Sequence, residues 1–505
     1  MKLNRCIILG MILLAWIVPY TLAESGSAWP TATPEEVGMD SGGIVQLLKF
    51  LGNPSLHAHS LIMVRDGKVV TEGYFYPYQR STLHNIYSCT KSVTSVLTGI
   101  ALDQGYLKSV DQKLGEFFPE LQTAAPNKAR ITIRHLLTMT SGLDYTHGET
   151  NDKMMKSPDW VRFALSLPLR YEPGTHYNYS DCNVHILAAV LQKVTGQALA
   201  SYAEKNLFMP LEITDYFWPV DPQGIQHGFS DLCINSQDMA KLGYLYLNDG
   251  RWEGKQIVSS AWVNESTRTH TREGDDGYGY LWWIEKGGFA ARGSGGQFIF
   301  VMPQAKVVAV FTYGLDDKAR ESNSYLPANI RKLCFKSNSP ITSNPQSYQK
   351  LQQALTAIEA PPAETTATSP LAGKVLGRTF RFNHLNHGLS SLAFIPLNDH
   401  TFIIRLVNNK KPLQFPVGMN GRFTEVKNSP FFRGDTVFIK GYWSNARTLS
   451  IIFEKGERLV LTCNFNQSGS KMKLTLVERG EVELKSLEGI AQNQFPTESG
   501  RSITF

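Results

Sequence analysis

Tyr87-Ser88-Cys89-Thr90-Lys91-Ser92-Val93-Thr94-Ser95-Val96-Leu97-Thr98-Gly99-Ile100-Ala101 is the stretch from which the rest of the chain is read. Apolar Val93, Val96, Leu97, Ile100 and Ala101 recur at helical spacing and Gly105 follows, which predicts a helix from Ser88 to Gln104. Residues three apart share a helix face, so Ser88 and Lys91 meet. A serine hydroxyl is a poor nucleophile until a base takes its proton. At the start of a helix, free backbone N–H groups and the positive dipole end favour a developing oxyanion. A lysine serves as that base only if burial lowers its pKa. Standing alone, Ser-x-x-Lys reads more readily as a capping serine followed by a surface lysine.

On the N-terminal side, Leu61 to Val64 and Val69 to Tyr74 flank Arg65-Asp66-Gly67-Lys68 as a hairpin. On the C-terminal side come further helical stretches, Val184 to Val194 and Ser236 to Leu247. Phe298 to Met302 and Val307 to Thr312 then flank Pro303-Gln304-Ala305-Lys306 as a second hairpin. Strands at both ends with helices between predict an α+β domain over 29–336, an antiparallel sheet with a helical region against it. From 337 to 370 the composition turns to Pro, Ser, Thr and Ala and reads as a linker, with a short helix over Gln349 to Glu359. Over 371–505, short β-rich runs predict a small all-β domain, barrel or sandwich: Phe402 to Val407, Thr436 to Ile439, Leu449 to Phe453, Arg458 to Cys463 and Met472 to Val477.

The segment around Ser88, then Gln104-Gly105-Tyr106-Leu107 and Ile131-Thr132-Ile133-Arg134-His135-Leu136-Leu137-Thr138-Met139-Thr140-Ser141-Gly142-Leu143, resembles the penicillin-recognising serine hydrolases. That superfamily holds class C β-lactamases, DD-peptidases and related esterases. Asp238-Met239-Ala240-Lys241-Leu242-Gly243-Tyr244-Leu245-Tyr246 makes the chain most similar to the 6-aminohexanoate-dimer hydrolase and esterase branch. The resemblance runs from about Pro30 to Tyr313 and leaves the C-terminal domain uncovered.

It implies a nucleophilic Ser88 working with Lys91. It also implies a proton-relaying tyrosine at Tyr179-Ser180-Asp181, which follows Glu172-Pro173-Gly174-Thr175. Asp181 stands where the family carries asparagine. A carboxylate within reach of Lys91 raises its pKa and shifts the basic role towards Tyr179. The family's third motif, Lys/His-Thr-Gly, has no literal copy; Arg292-Gly293-Ser294-Gly295-Gly296-Gln297 is its counterpart. Glycines there let backbone approach substrate, and the Ser294 N–H completes an oxyanion hole with that of Ser88, next to Gly295. Without the Lys/His, binding of a β-lactam carboxylate is disfavoured, with Arg292 as the substitute cation to consider. Trp282, Trp283 and Tyr280 either wall the cleft or pack the core.

The resulting expectation is a serine esterase or amidase forming an acyl-enzyme on Ser88, acting on a small ester or amide without metal or cofactor. Two alternatives stand beside it: a DD-peptidase or β-lactamase, and an inactive wall- or membrane-binding protein. Composition agrees with a globular exported protein. The chain has 505 residues, 42% hydrophobic and 19% charged, more than one core ordinarily takes. Residues 1–23 read as a signal peptide: Lys2 and Arg5, an apolar run from Cys6 to Val18, the breaker Pro19 and small Ala23. Cleavage at Ala23 fits these better than an uncleaved anchor, giving a secreted or periplasmic protein and arguing against nucleic acid as a partner. The net charge of +6 is concentrated beyond Leu371, where 18 basic residues face 10 acidic ones. This is read as a solvated surface in preference to a weak contact with cell wall or membrane. The five cysteines after the leader, Cys89, Cys182, Cys233, Cys334 and Cys463, match no disulfide or metal framework. His57-x-His59 and His384-x-x-His387 lack the companions of a metal site.

Overall fold

The computed structural model describes residues 29–492 except 275, 315–329, 331, 364–368, 383–388, 409–410, 420, 428–435, 455–457 and 479–481. The leader at 1–23 and the His384-x-x-His387 pair therefore lie outside the described residues.

The N-terminal domain is built on one antiparallel sheet. Its strands are β1 (Ala58–Arg65), β2 (Lys68–Tyr74), β3 (Thr271–Glu273), β4 (Asp276–Tyr278), β5 (Trp283–Glu285), β6 (Gly288–Gly293), β7 (Gln297–Met302) and β8 (Val307–Tyr313). They lie in the order β2-β1-β8-β7-β6-β5-β4-β3. The first and last segments of the domain thus pair within the sheet as its second and third strands, Ile62 opposite Val310. The β1–β2 turn is tight because Asp66 and Gly67 both take positive φ, 48° and 75°, the conformation of a type I′ hairpin.

Alternation along the strands gives the sheet two buried faces. Leu61, Met63, Phe300 and Phe311 point to one side, against α1 (Ser41–Leu51). Ile62, Val64, Ile299 and Val310 point to the other, with α2 (Cys89–Asp103), α3 (Asp181–Thr195) and α4 (Ser236–Leu247) among the helices of that layer. Every residue of α2 from Cys89 to Ala101 is buried. This explains a helix whose non-apolar positions are Thr, Ser and Gly, with Lys91 its one charged residue before Asp103.

The stretch read as a linker with a short helix over Gln349 to Glu359 contains α5 (Pro345–Glu359), a helix of 15 residues that starts four residues earlier. Tyr348, Leu351, Leu355 and Ile358 face the outer core beside α1. Leu351 is fully buried, so this helix is packed structure rather than tether.

The C-terminal domain is all-β. Its strands are β9 (Thr379–Phe382), β10 (Leu389–Asn398), β11 (Thr401–Asn408), β12 (Lys411–Gly418), β13 (Thr424–Val426), β14 (Val437–Asn445), β15 (Thr448–Glu454), β16 (Arg458–Phe465), β17 (Lys471–Glu478) and β18 (Val482–Gln492). Neighbours run β12-β11-β10-β9-β18-β17-β16-β15-β14-β13, and a further β12–β14 pairing closes nine of the ten into a barrel. Phe380, Phe394, Ile404, Val417, Ile439, Ile451 and Cys463 fill it.

The domains meet through a buried cluster. The His59 ring stacks on Tyr78, centroids 3.8 Å apart, and Tyr78 meets Phe438 edge-on at 5.1 Å. His59 Nε2 lies 3.6 Å from Glu454 Oε1, and Arg458 Nη2 lies 2.6 Å from Glu454 Oε2. Burial works against the Glu454 charge, but His59 and Arg458 outweigh it and hold its carboxyl down at about 2.

Candidate active site

Local chain geometry presents Ser88. Tyr87 adopts φ 46°, a costly conformation for a residue with a side chain. It is held there by its N–H, which donates to Asn85 Oδ1 at 2.8 Å. Ser88 then caps α2 and is half-buried, with Cys89 N–H already turning into the helix. One helical turn on, the Lys91 ammonium donates to Ser88 Oγ at 2.9 Å and to the Phe229 carbonyl at 2.9 Å. Its third neighbour is Asp181 Oδ1 at 2.6 Å; both side chains are almost fully buried.

Asp181 opens α3, whose start is fixed by Ser180, the capping side chain that accepts from Asn183 N–H. The second Asp181 oxygen accepts from the Tyr145 hydroxyl at 3.1 Å. Two residues upstream, the Tyr179 ring lies beneath the ammonium, with Nζ 4.7 Å from its centroid. Burial opposes the Lys91 charge, but Asp181 and then Tyr179 outweigh it and hold the ammonium above its ordinary value. A neutral amine could also donate twice and turn its lone pair to Ser88. The adjacent buried carboxylate makes that form the costlier one.

These groups open on a cavity of about 240 Å³ lined by Ser88, His147, Tyr179, Glu273, Trp283, Arg292 and Ser294. The far wall is the end of β6. Gly293 packs so tightly that a Cβ there would stand 2.5 Å from the Ile86 carbonyl oxygen and 3.3 Å from Ser88 N. A bare backbone is therefore required at this point. Ser294 follows into the cavity, while Gly295, at φ 71°, turns the chain back and is buried behind the lining.

Arg292 lines the cavity but is already engaged. It lies 2.8 Å from Asp276 Oδ2 and 2.7 Å from Glu285 Oε1, with its guanidinium 5.0 Å from the Trp283 ring centroid. It therefore does not stand in for the family's free cation. Trp283 reaches the cavity and stacks near Tyr179, 5.9 Å between centroids. Trp282 and Tyr280 are core residues, each almost fully buried.

Glu273, His147 and the Phe229 carbonyl were not visible in the sequence. Glu273 sits in a short strand with no periodic signal, and a backbone acceptor has no side-chain signature. Among the described residues no disulfide joins the five cysteines, Cys89 and Cys182 included, and all five are buried. His59 Nδ1 is 2.8 Å from His84 Nε2. Among the described residues no three His, Cys, Asp or Glu side chains are arranged to hold a metal ion, and no helix is long and apolar enough to cross a membrane.

Comparison with known proteins agrees with this architecture. The 6-aminohexanoate-dimer hydrolase of Paenarthrobacter ureafaciens is 24% identical over 287 residues, 50% of this chain and 71% of that protein. Esterase EstB of Burkholderia gladioli is 31% identical over 156 residues, 28% of this chain and 39% of its own length. Among solved structures, a candidate beta-lactamase of Bacteroides dorei DSM 17855 superposes with a TM-score of 0.51 at 17% identity. The match covers 58% of this chain and 99% of that one. The Beta-lactamase family model matches residues 50–332, more than half of the sequence. With a serine–lysine pair at the mouth of its central helix and an antiparallel sheet edge opposite, this chain belongs to the beta-lactamase family of serine hydrolase-like proteins.

Proposed function

We propose that the protein is a serine esterase or amidase that forms an acyl-enzyme on Ser88. The observation that carries this reading is the 2.9 Å contact between a buried Lys91 and the Oγ of Ser88, which lines a cavity that Tyr179 also lines. Lys91 is the fixed cation. With two of its neighbours, the Phe229 carbonyl and the Asp181 carboxylate, able only to accept, it stays protonated and stabilises negative charge on the phenol oxygen. Tyr179 is then the base that takes the Ser88 proton and returns it to the leaving group. The N–H groups of Ser88 and Ser294 hold the oxyanion of the tetrahedral intermediate, and water hydrolyses the ester to release the acid.

The engaged state of Arg292 favours this reading over a β-lactamase or DD-peptidase, whose substrates bring a carboxylate. The intact Ser88, Lys91 and Tyr179 favour it over an inactive binding protein. The leader pattern at 1–23 supports export, and the basic C-terminal part supports at most a weak contact with an anionic surface. The test is a panel of nitrophenyl esters, linear amides and nitrocefin. Ester or amide turnover that falls by about 10⁴-fold or more in Ser88→Ala is expected. Turnover unaffected by that change rejects the assignment, and nitrocefin as the preferred substrate rejects the esterase reading.

A further inference from the structure

We infer that Glu273 is the specificity-determining residue of the cleft and that the preferred substrates are esters or amides carrying a positive charge. The inference rests on the hydrolase reading above and concerns only what the cavity selects. The charges that line this cavity or stand directly behind its lining can be paired off. Lys91 is matched by Asp181 at 2.6 Å. Arg292 is matched twice over, by Asp276 at 2.8 Å and Glu285 at 2.7 Å.

Glu273 is left. It lines the same cavity as Ser88, yet its contact there is with a neutral group, the Tyr177 hydroxyl, which donates to Oε2 at 3.2 Å. That bond orients the carboxylate without neutralising it. Its other oxygen has no hydrogen-bond partner among the described residues. Tyr179 and Trp283 line the same cavity, but each ring already lies against a cation, Lys91 and Arg292, so the pull on a charged ligand comes from Glu273. A cleft whose cations are spent and whose unspent charge is a carboxylate favours a cationic ligand and repels a carboxylate.

Two isosteric pairs read this directly. In the first, 4-nitrophenyl 4-(trimethylammonio)butyrate is compared with 4-nitrophenyl 5,5-dimethylhexanoate, which places the charge on the acyl side. In the second, acetylthiocholine is compared with 3,3-dimethylbutyl thioacetate, which places it on the leaving side. In at least one pair the cation is favoured about fivefold to tenfold in kcat/KM, mainly through KM and less at high salt. Glu273→Gln removes that ratio and Glu273→Lys inverts it. Equal treatment of both pairs, or a ratio that survives Glu273→Gln, overturns the inference. Calorimetric titration of the Ser88→Ala protein with the same pairs reads the preference without turnover, and equal affinities there overturn it too. Absence of turnover of all four esters in the wild type, with the cation still bound more tightly in calorimetry, overturns the hydrolase reading alone.

Discussion

Asp181→Asn separates the role of the carboxylate from its shape. The change keeps an oxygen near Lys91 Nζ and removes only the charge that now sits 2.6 Å away in an almost fully buried pair. Removing one partner of a buried pair costs about 3–5 kcal/mol. The amide oxygen still accepts and Lys91 can shed its proton, so the lower end, about 3 kcal/mol near neutral pH, is expected. The pH dependence carries the sharper information.

In the wild type Lys91 is held above its ordinary value of 10.5 despite its burial. Its contribution to stability is therefore complete below that value and is lost only at more alkaline pH. In Asp181→Asn the burial that opposes the charge loses its main counterweight, and the folded-state pKa falls below that of the unfolded chain. The unfolded state then binds more protons, and stability rises with pH. Urea titrations at pH 6.5, 8 and 9.5 should show a wild type insensitive to this group and a variant whose deficit shrinks towards alkaline pH. The acid limb of kcat/KM should move as well, because a Lys91 that titrates becomes a competing base for Ser88. A deficit independent of pH together with superimposable rate profiles would falsify the fixed-cation role of Lys91.

Tyr179→Phe leaves the ring under the ammonium and removes the hydroxyl; kcat for a nitrophenyl ester is expected to drop about 10²–10⁴-fold with little change in KM. Gly293→Ala puts a Cβ 2.5 Å from the Ile86 carbonyl oxygen and 3.3 Å from Ser88 N. It should cost about 10²-fold in kcat through the displaced oxyanion site, while a conservative loss confined to KM would count against that geometry. Glu454, held at about 2 by His59 and Arg458 against its burial, contributes about 3 kcal/mol above the ordinary carboxyl value. The stability gap between wild type and Glu454→Gln should therefore be full at pH 6 and close as the pH falls from about 4.5 towards 2 in denaturant titrations.

What could be read in advance follows from how locally each feature is encoded. Ser88 and Lys91 are one helical turn apart, so spacing alone brings them together, but the resemblance to relatives singled them out, as it did Tyr179 and Asp181 two residues on at the start of the next long helix. Their convergence with Ser294 needs the sheet edge to swing round to α2, which only the resemblance to relatives anticipated. Helix α5 was legible over Gln349 to Glu359, where Leu351, Ala354, Leu355 and Ile358 recur at helical spacing; its first turn from Pro345 and its packing against the core were disguised by the Pro, Ser and Thr on either side. Strand β12 was hidden for a better reason. Pro412 and Pro416 lie within it, residues that a paired central strand excludes. They are tolerated because β12 is bonded along its length to β11, whereas its contact with β14 is the single bridge from Gly418 to Lys440.

The third motif shows how the site has been altered without being dismantled. A catalytic sheet edge in this architecture has two separable tasks: to present backbone N–H groups to an oxyanion, and to supply a cation to a substrate carboxylate. The first depends on closeness, and Gly293 preserves it, since no side chain fits between β6 and Ser88. The second depends on an unpaired charge, and Arg292 has lost that to Asp276 and Glu285. Those two carboxylates sit on β4 and β5, the neighbouring strands of the same edge. The pairing of Arg292 is therefore built into the sheet and does not rest on one side chain. Replacing Arg292 by lysine would still leave the cation between two carboxylates, so on the esterase reading nitrocefin turnover is expected to rise only when Asp276 and Glu285 are changed with it.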